Sequence, residues 1–306
     1  MEKQHFKILA VDGGGIRGVF PAHILCCIKQ RLDIDVSKQF NMIAGTSTGS
    51  IIAAAIACRI DPAEIVSLYR EYGKNIFSRK RFWGPKKIES ALRSLYDHDV
   101  LITALKKVFG DIRLGDISIP LLIPATDIGN GCVHVFKSGY SKNFYRDKNV
   151  LLREAILASC SAPTFFNPVK IQTYLLADGG LWANNPSLAA VIDARYRLNV
   201  ELTDIRILSL GTGLAKTCYG VKIDKKWGLI KGWKGPEFIG FLMSLQTQST
   251  NNYLQLMMNK EQILRLNFES DIPLPLDDCS KIDDLISKAD KVFTDNSAII
   301  RDFLIN

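Results

Sequence analysis

The chain has 306 residues, 47% hydrophobic and 23% charged; that length buries a sizeable core, and that apolar share excludes a disordered chain. No run of about 18 apolar residues occurs, which excludes a membrane-spanning helix. The net charge of +8 suits nucleic acid or an anionic lipid surface and does not choose between them. In chain order, Phe6–Val11 reads as a buried strand that leads into a glycine-rich turn, and Val19–Leu32 reads as a helix. Residues 41–44 form a short apolar run before a second glycine turn, and 49–59 a helix of small residues. Residues 77–110 open on the basic, aromatic stretch Arg79-Lys80-Arg81-Phe82-Trp83 with Lys86 and Lys87, hold no clear strand, and are expected as helices and loops over a sheet. Strand patterns return at 117–127, 131–136 and 173–177, a helix at 187–198 and a strand at Ile205–Leu210. Near the C-terminus Ile282, Leu285, Ile286, Ala289, Val292 and Phe293 recur at helical spacing, which predicts an amphipathic helix on the core.

Strands alternating with helices predict an α/β layered fold around a largely parallel sheet. No internal repeat or linker divides the chain, so one domain is expected over 1–306, with a motif-bearing core at 6–215 and a helical part at 216–306. The start lacks the basic, then apolar, then small-residue order of a secretory signal, so a cytoplasmic protein is expected. The seven cysteines are odd in number and scattered, which favours reduced thiols over a disulfide framework. Neither a CxxC nor an HxxxH pair occurs, so no metal is expected.

Three motifs bear chemistry. The first, Asp12-Gly13-Gly14-Gly15-Ile16-Arg17-Gly18, lies between strand and helix. It satisfies GxGxxG literally, but a dinucleotide site needs an acid at the end of the second strand, and that strand runs into Gly45-Thr46-Ser47 instead. The other use of three glycines is an anion hole, because bare backbone lets amides point into a site. The second motif, Gly45-Thr46-Ser47-Thr48-Gly49, is a strict GxSxG in strand–turn–helix context, the setting of a nucleophile elbow at Ser47. The third, Leu175-Leu176-Ala177-Asp178-Gly179-Gly180, ends an apolar run on an acid.

A serine nucleophile needs a base. The only histidines are His5, His23, His98 and His134, and none follows residue 134. The serine–acid–histidine order of an ordinary triad is therefore disfavoured, and Asp178 becomes the candidate base. A free Asp, with a pKa near 3.9, is a weak base, so burial must raise its basicity.

Together these motifs resemble the patatin-like phospholipase family. The similarity extends through Ala158-Ser159-Cys160-Ser161-Ala162-Pro163-Thr164-Phe165-Phe166, Ala183-Asn184-Asn185-Pro186 and Leu208-Ser209-Leu210-Gly211-Thr212-Gly213. The resemblance implies a three-layer α/β/α fold and a lipid acyl hydrolase in which Ser47 attacks a fatty-acyl ester and Asp178 is its only catalytic partner. It implies an oxyanion hole from the amides of Gly13, Gly14 and Gly15, with Arg17 and Thr48 in support, and neither metal nor cofactor. It also implies a phospholipid membrane surface as partner, met peripherally at the inner face, and no nucleic-acid polymer. Some bacterial members are antiphage effectors switched on by cyclic nucleotides, so a cyclic-nucleotide activator is an expectation too. The alternative is a catalytically silent lipid- or nucleotide-binding module on the same fold. Two basic stretches with aromatics, 79–87 and 222–233, are the candidates for lipid contact.

Overall fold

The computed structural model describes residues 5–78, 94–215, 236–272 and 274–306. Both candidate lipid-contact stretches, 79–87 and 222–233, lie outside the described residues.

The main sheet has eight strands: β1 (Phe6–Val11), β2 (Met42–Gly45), β3 (Leu121–Asp127), β4 (Cys132–Lys137), β5 (Val169–Ile171), β6 (Tyr174–Asp178), β7 (Ile205–Leu210) and β9 (Ile263–Leu266). Their order is β5-β6-β3-β2-β1-β7-β9, with β4 also on β3. A short pair, β8 (Leu214–Ala215) and β10 (Glu269–Ser270), forms a separate ribbon. The pairs β3–β2, β2–β1, β1–β7 and β7–β9 are parallel. The sheet is therefore mostly parallel, and its strands must be covered on both faces.

Alternation along each strand shows how. In β1, Leu9 and Val11 point into one core and Ile8 and Ala10 into the other. In β7, Leu208 and Leu210 join the first core and Ile205 and Ile207 the second. The first core is closed by α1 (Val19–Leu32), α2 (Thr48–Ala57), α3 (Pro62–Ile76), α4 (Asp99–Phe109), α5 (Leu152–Ser159) and the C-terminal α9 (Ile282–Ile305). The second is closed by α7 (Ser187–Arg197) and α8 (Pro236–Met257). A short turn of helix, α6 (Gly180–Ala183), follows β6. The result is the three-layer α/β/α arrangement.

Local signals explain the element ends. Pro62 opens α3, and the Asp61 carboxylate accepts the Ala63 amide at 2.9 Å, capping the helix. α1 stops at Asp33 in the left-handed conformation, φ 56°. The expected strand at 117–127 begins only at Leu121, because Leu114–Asp116 forms a 3-10 turn and Pro120, lacking an amide hydrogen, precedes the ladder.

One expectation needs correcting. Residues beyond 215 are not only helical: β9 pairs with β7 and extends the main sheet. Its four residues, Ile-Leu-Arg-Leu, are too few to announce a strand by alternation.

Candidate active site

β2 and β6 approach each other along one edge of β3. β2 pairs with Leu121 and Leu122, while antiparallel β6 pairs with residues 125–127. Their C-terminal ends therefore face across the gap at Ile123 and Pro124. Asp178 ends β6 and Ser47 follows β2, so the sheet brings them to one place. An antiparallel strand delivers Asp178, not the parallel strand end from which the site of an α/β sheet is ordinarily argued.

Ser47 sits at φ 53° and ψ −128°, a conformation that side chains with a Cβ rarely adopt. Its neighbours make that turn possible. A Cβ at Gly45 would overlap the Gly49 carbonyl, and a Cβ at Gly49 would overlap the Val11 carbonyl. The Ser47 amide donates to the Ser159 hydroxyl at 2.9 Å, which in turn donates to the Pro124 carbonyl at 2.6 Å. Ser159 thus ties the elbow to β3 at the gap between β2 and β6. The Ser50 hydroxyl donates to the Ser47 carbonyl at 2.6 Å. The Ser159 bridge was not foreseen, although its residue lies in one of the resembling blocks.

Asp178 is held at every point but one. Its amide donates to the Ser161 carbonyl at 3.0 Å, and its carbonyl accepts the Thr126 hydroxyl at 2.8 Å. Carboxylate Oδ1 accepts the Gly180 amide at 2.6 Å. Oδ2 is buried and has no hydrogen-bond partner among the described residues. Burial pushes this carboxyl up to about 7, against the opposing pull of the nearby Ser47 side chain and the Gly180 amide. The Ser47 hydroxyl therefore acts on Asp178 at short range without a well-aligned hydrogen bond to it.

The glycine loop is tied from outside. Arg17 Nε donates to the Gly14 carbonyl at 3.1 Å, and the Thr212 hydroxyl donates to the Gly13 carbonyl at 2.7 Å. Gly14 packs where a Cβ would meet Thr212, and Gly15 has φ +57° with the Leu276 carbonyl against it. The Gly13 amide donates to the Asn184 carbonyl at 2.9 Å and is not free for an oxyanion, contrary to the expectation that it joins Gly14 and Gly15. The Gly14 and Gly15 amides form no hydrogen bond among the described residues. Asp12, at the head of the loop, is buried and pairs with Arg265, whose Nη1 lies 2.9 Å from Asp12 Oδ1. Thr48 hydrogen-bonds the Tyr69 hydroxyl, tying α2 to α3.

Ser47 and Asp178 line one cavity of about 60 Å³. Its walls are mostly apolar and include Ile51, Leu68, Ile76, Phe77, Phe165, Phe166 and Met243. None of the four histidines lines it. His134 is buried in β4 against Phe136 and Tyr174, and burial lowers its pKa to about 4. His98 bonds the Ser161 hydroxyl at 3.1 Å, and His23 faces Asp290. Cys160 also lines the cavity, but burial and the Asp178 charge push its thiol far above the reactive range, so it does not compete as nucleophile.

The family model described as patatin-like phospholipase matches residues 9–191. A cUMP-AMP-activated phospholipase of Escherichia coli is 29% identical, over 98% of this chain and 94% of its own. A cGAMP-activated phospholipase of Escherichia coli strain TW11681 is 31% identical, over 69% of this chain and 63% of its own. Patatin-like protein 2 of Oryza sativa subsp. indica is 28% identical, over 94% of this chain and 84% of its own.

Proposed function

The chain belongs to the patatin-like phospholipase family, and we propose that it cleaves fatty-acyl esters of membrane phospholipids through a Ser47–Asp178 dyad. The observation that carries this reading is the shared cavity: a strained serine and a buried carboxylate with a free oxygen face one apolar space that no histidine lines. Asp178 takes the proton of the Ser47 hydroxyl as its oxygen attacks the ester carbonyl. The Gly14 and Gly15 amides receive the oxyanion. Collapse expels the lysolipid alcohol, which takes the proton back from Asp178, and leaves the acyl chain on Ser47. Water, deprotonated by Asp178, then attacks the acyl-enzyme and frees the fatty acid. The acyl chain occupies the apolar walls throughout.

Fatty-acid release from phospholipid vesicles tests this reading. Ser47→Ala and Asp178→Asn each lower release by at least about 10³-fold while the protein stays folded. Release retained in either folded variant overturns the dyad, and no release by the wild type under any activating condition favours a silent binding module.

Two relatives, a cUMP-AMP-activated and a cGAMP-activated phospholipase, support a second step: the activity waits on a cyclic-nucleotide signal and serves as a membrane-degrading defence. No helix among the described residues is long and apolar enough to cross a membrane. On this proposal the chain meets phospholipid peripherally at the inner face, where its net charge of +8 favours anionic lipid. Release measured with and without a panel of cyclic nucleotides decides: a rise with one ligand supports this step, and identical rates with all of them sink it.

A further inference from the structure

A second cluster of chemistry-bearing side chains lies outside the catalytic cavity. His23 and Cys27 stand one helical turn apart on α1, four positions in sequence, and so share a face. Asp290, on α9, reaches both: its Oδ1 is 3.2 Å from His23 Nε2 and 3.5 Å from Cys27 Sγ. All three atoms lie within 4.8 Å of one another. A tetrahedral ion with nitrogen and oxygen ligands at about 2.0–2.1 Å and sulfur at about 2.3 Å spaces its ligand atoms about 3.3–3.6 Å apart. Both distances to Asp290 already have the span of such a coordination edge.

We propose that His23, Cys27 and Asp290 bind a zinc ion that fastens the C-terminal helix to α1. The donor set, one imidazole, one thiol and one carboxylate, selects a borderline cation of the zinc type over magnesium or calcium, which take oxygen alone. Binding breaks the Cys27 S–H bond, forms the sulfur–zinc bond and releases the proton to solvent; nothing is oxidised or reduced. Water fills the fourth position. Arg31 also bonds Asp290 Oδ1. When the ion takes that oxygen, Arg31 moves to Oδ2 and steadies the same carboxylate. The site joins positions 263 residues apart, so closing that long loop adds to stability. It also anchors the helix that begins directly after the glycine loop.

The test uses the full chain, freed of metal by chelation. Cobalt(II) is titrated in as the spectroscopic stand-in for zinc. The proposal expects visible bands of tetrahedral cobalt and a near-ultraviolet thiolate-to-cobalt absorption, saturating at one ion per chain. Zinc raises the melting temperature, and the same concentration of magnesium does not. Cys27→Ser removes the thiolate absorption, and His23→Ala weakens zinc binding at least about tenfold. Cys26→Ser, one position away, leaves both unchanged. Far-ultraviolet circular dichroism checks that each variant folds, and the wild-type titration stands without any variant. Absence of thiolate absorption in the wild type overturns the proposal, as does equal zinc stabilisation of Cys27→Ser and the wild type.

Discussion

Asp178 carries two consequences of one proton. Its folded carboxyl titrates near 7, above its ordinary value of 3.8, because burial disfavours the charge. In the proposed mechanism the general base is the ionised form, so acyl release is expected to rise with pH through about 7 and level off above it. Stability runs the other way. A group whose folded pKa is raised binds more protons in the folded state, so its contribution is complete below the unfolded pKa near 4 and is lost as pH rises through 7. Asp178→Asn, neutral at every pH, is expected to melt higher than the wild type at pH 8. The gap should shrink towards pH 5, and thermal melts across that window check it. A gap that does not change with pH would mean the carboxyl is not perturbed as described. The sequence already named this residue, because an acid ending an apolar run with no histidine to follow leaves few other bases. Its raised pKa was a requirement of the chemistry and became a feature only once burial was visible. The Gly13 amide shows the opposite case. Its sequence context matches that of Gly14 and Gly15, and only a partner 171 positions away, the Asn184 carbonyl, takes its amide out of the proposed anion hole.

At the scale of elements, the site depends on two strand ends that face each other across a gap in the β3 edge. Ser159 sits at that gap and ties the elbow to β3, accepting from the Ser47 amide and donating to the Pro124 carbonyl. Ser159→Ala would leave both buried groups without this hydroxyl. The cost is expected at about 1–3 kcal/mol of stability, with the elbow less firmly placed. We expect kcat for acyl release to fall several-fold, on the order of tenfold, with KM nearly unchanged, because Ser159 does not line the cavity that receives the acyl chain. Steady-state kinetics beside thermal melts separates the effects: a pure loss of stability would leave kcat of the folded protein intact. The gap itself was not legible in the sequence. Strand periodicity reports which residues alternate, and α2, α7 and the β1, β6 and β7 runs were readable on that ground. It does not report that β6 runs antiparallel to β3, or that β2 stops pairing with β3 after two residues. That information resides in long-range partners that no local pattern carries.

The molecule as a whole explains why the least legible part matters most to the glycine loop. Beyond residue 215 the sequence offered one amphipathic helix and little else. Yet β9 extends the sheet beside β7, the Leu276 carbonyl accepts the Ile16 amide at 2.8 Å, Met243 lines the cavity, and α9 packs along α1. The tightest of these ties is Arg265 on β9, which meets both oxygens of Asp12 and also the Ser209 hydroxyl at 2.7 Å. Asp12 is 2% exposed, and burial raises its carboxyl pKa while Arg265 and then Arg17 oppose the shift. A buried pair of this kind adds little over an apolar replacement, but removing one partner strands the other. Arg265→Met is therefore expected to cost about 3–5 kcal/mol, a fall in melting temperature on the order of 10 °C for a domain of this size. It should also lower activity, because Asp12 is the residue from which the glycine loop, the proposed oxyanion hole, departs. Adding Asp12→Asn to Arg265→Met removes the stranded charge and should restore part of the stability. A double-mutant cycle over the two positions reads this directly: a coupling energy near zero would show that the C-terminal part rests beside the glycine loop without holding it.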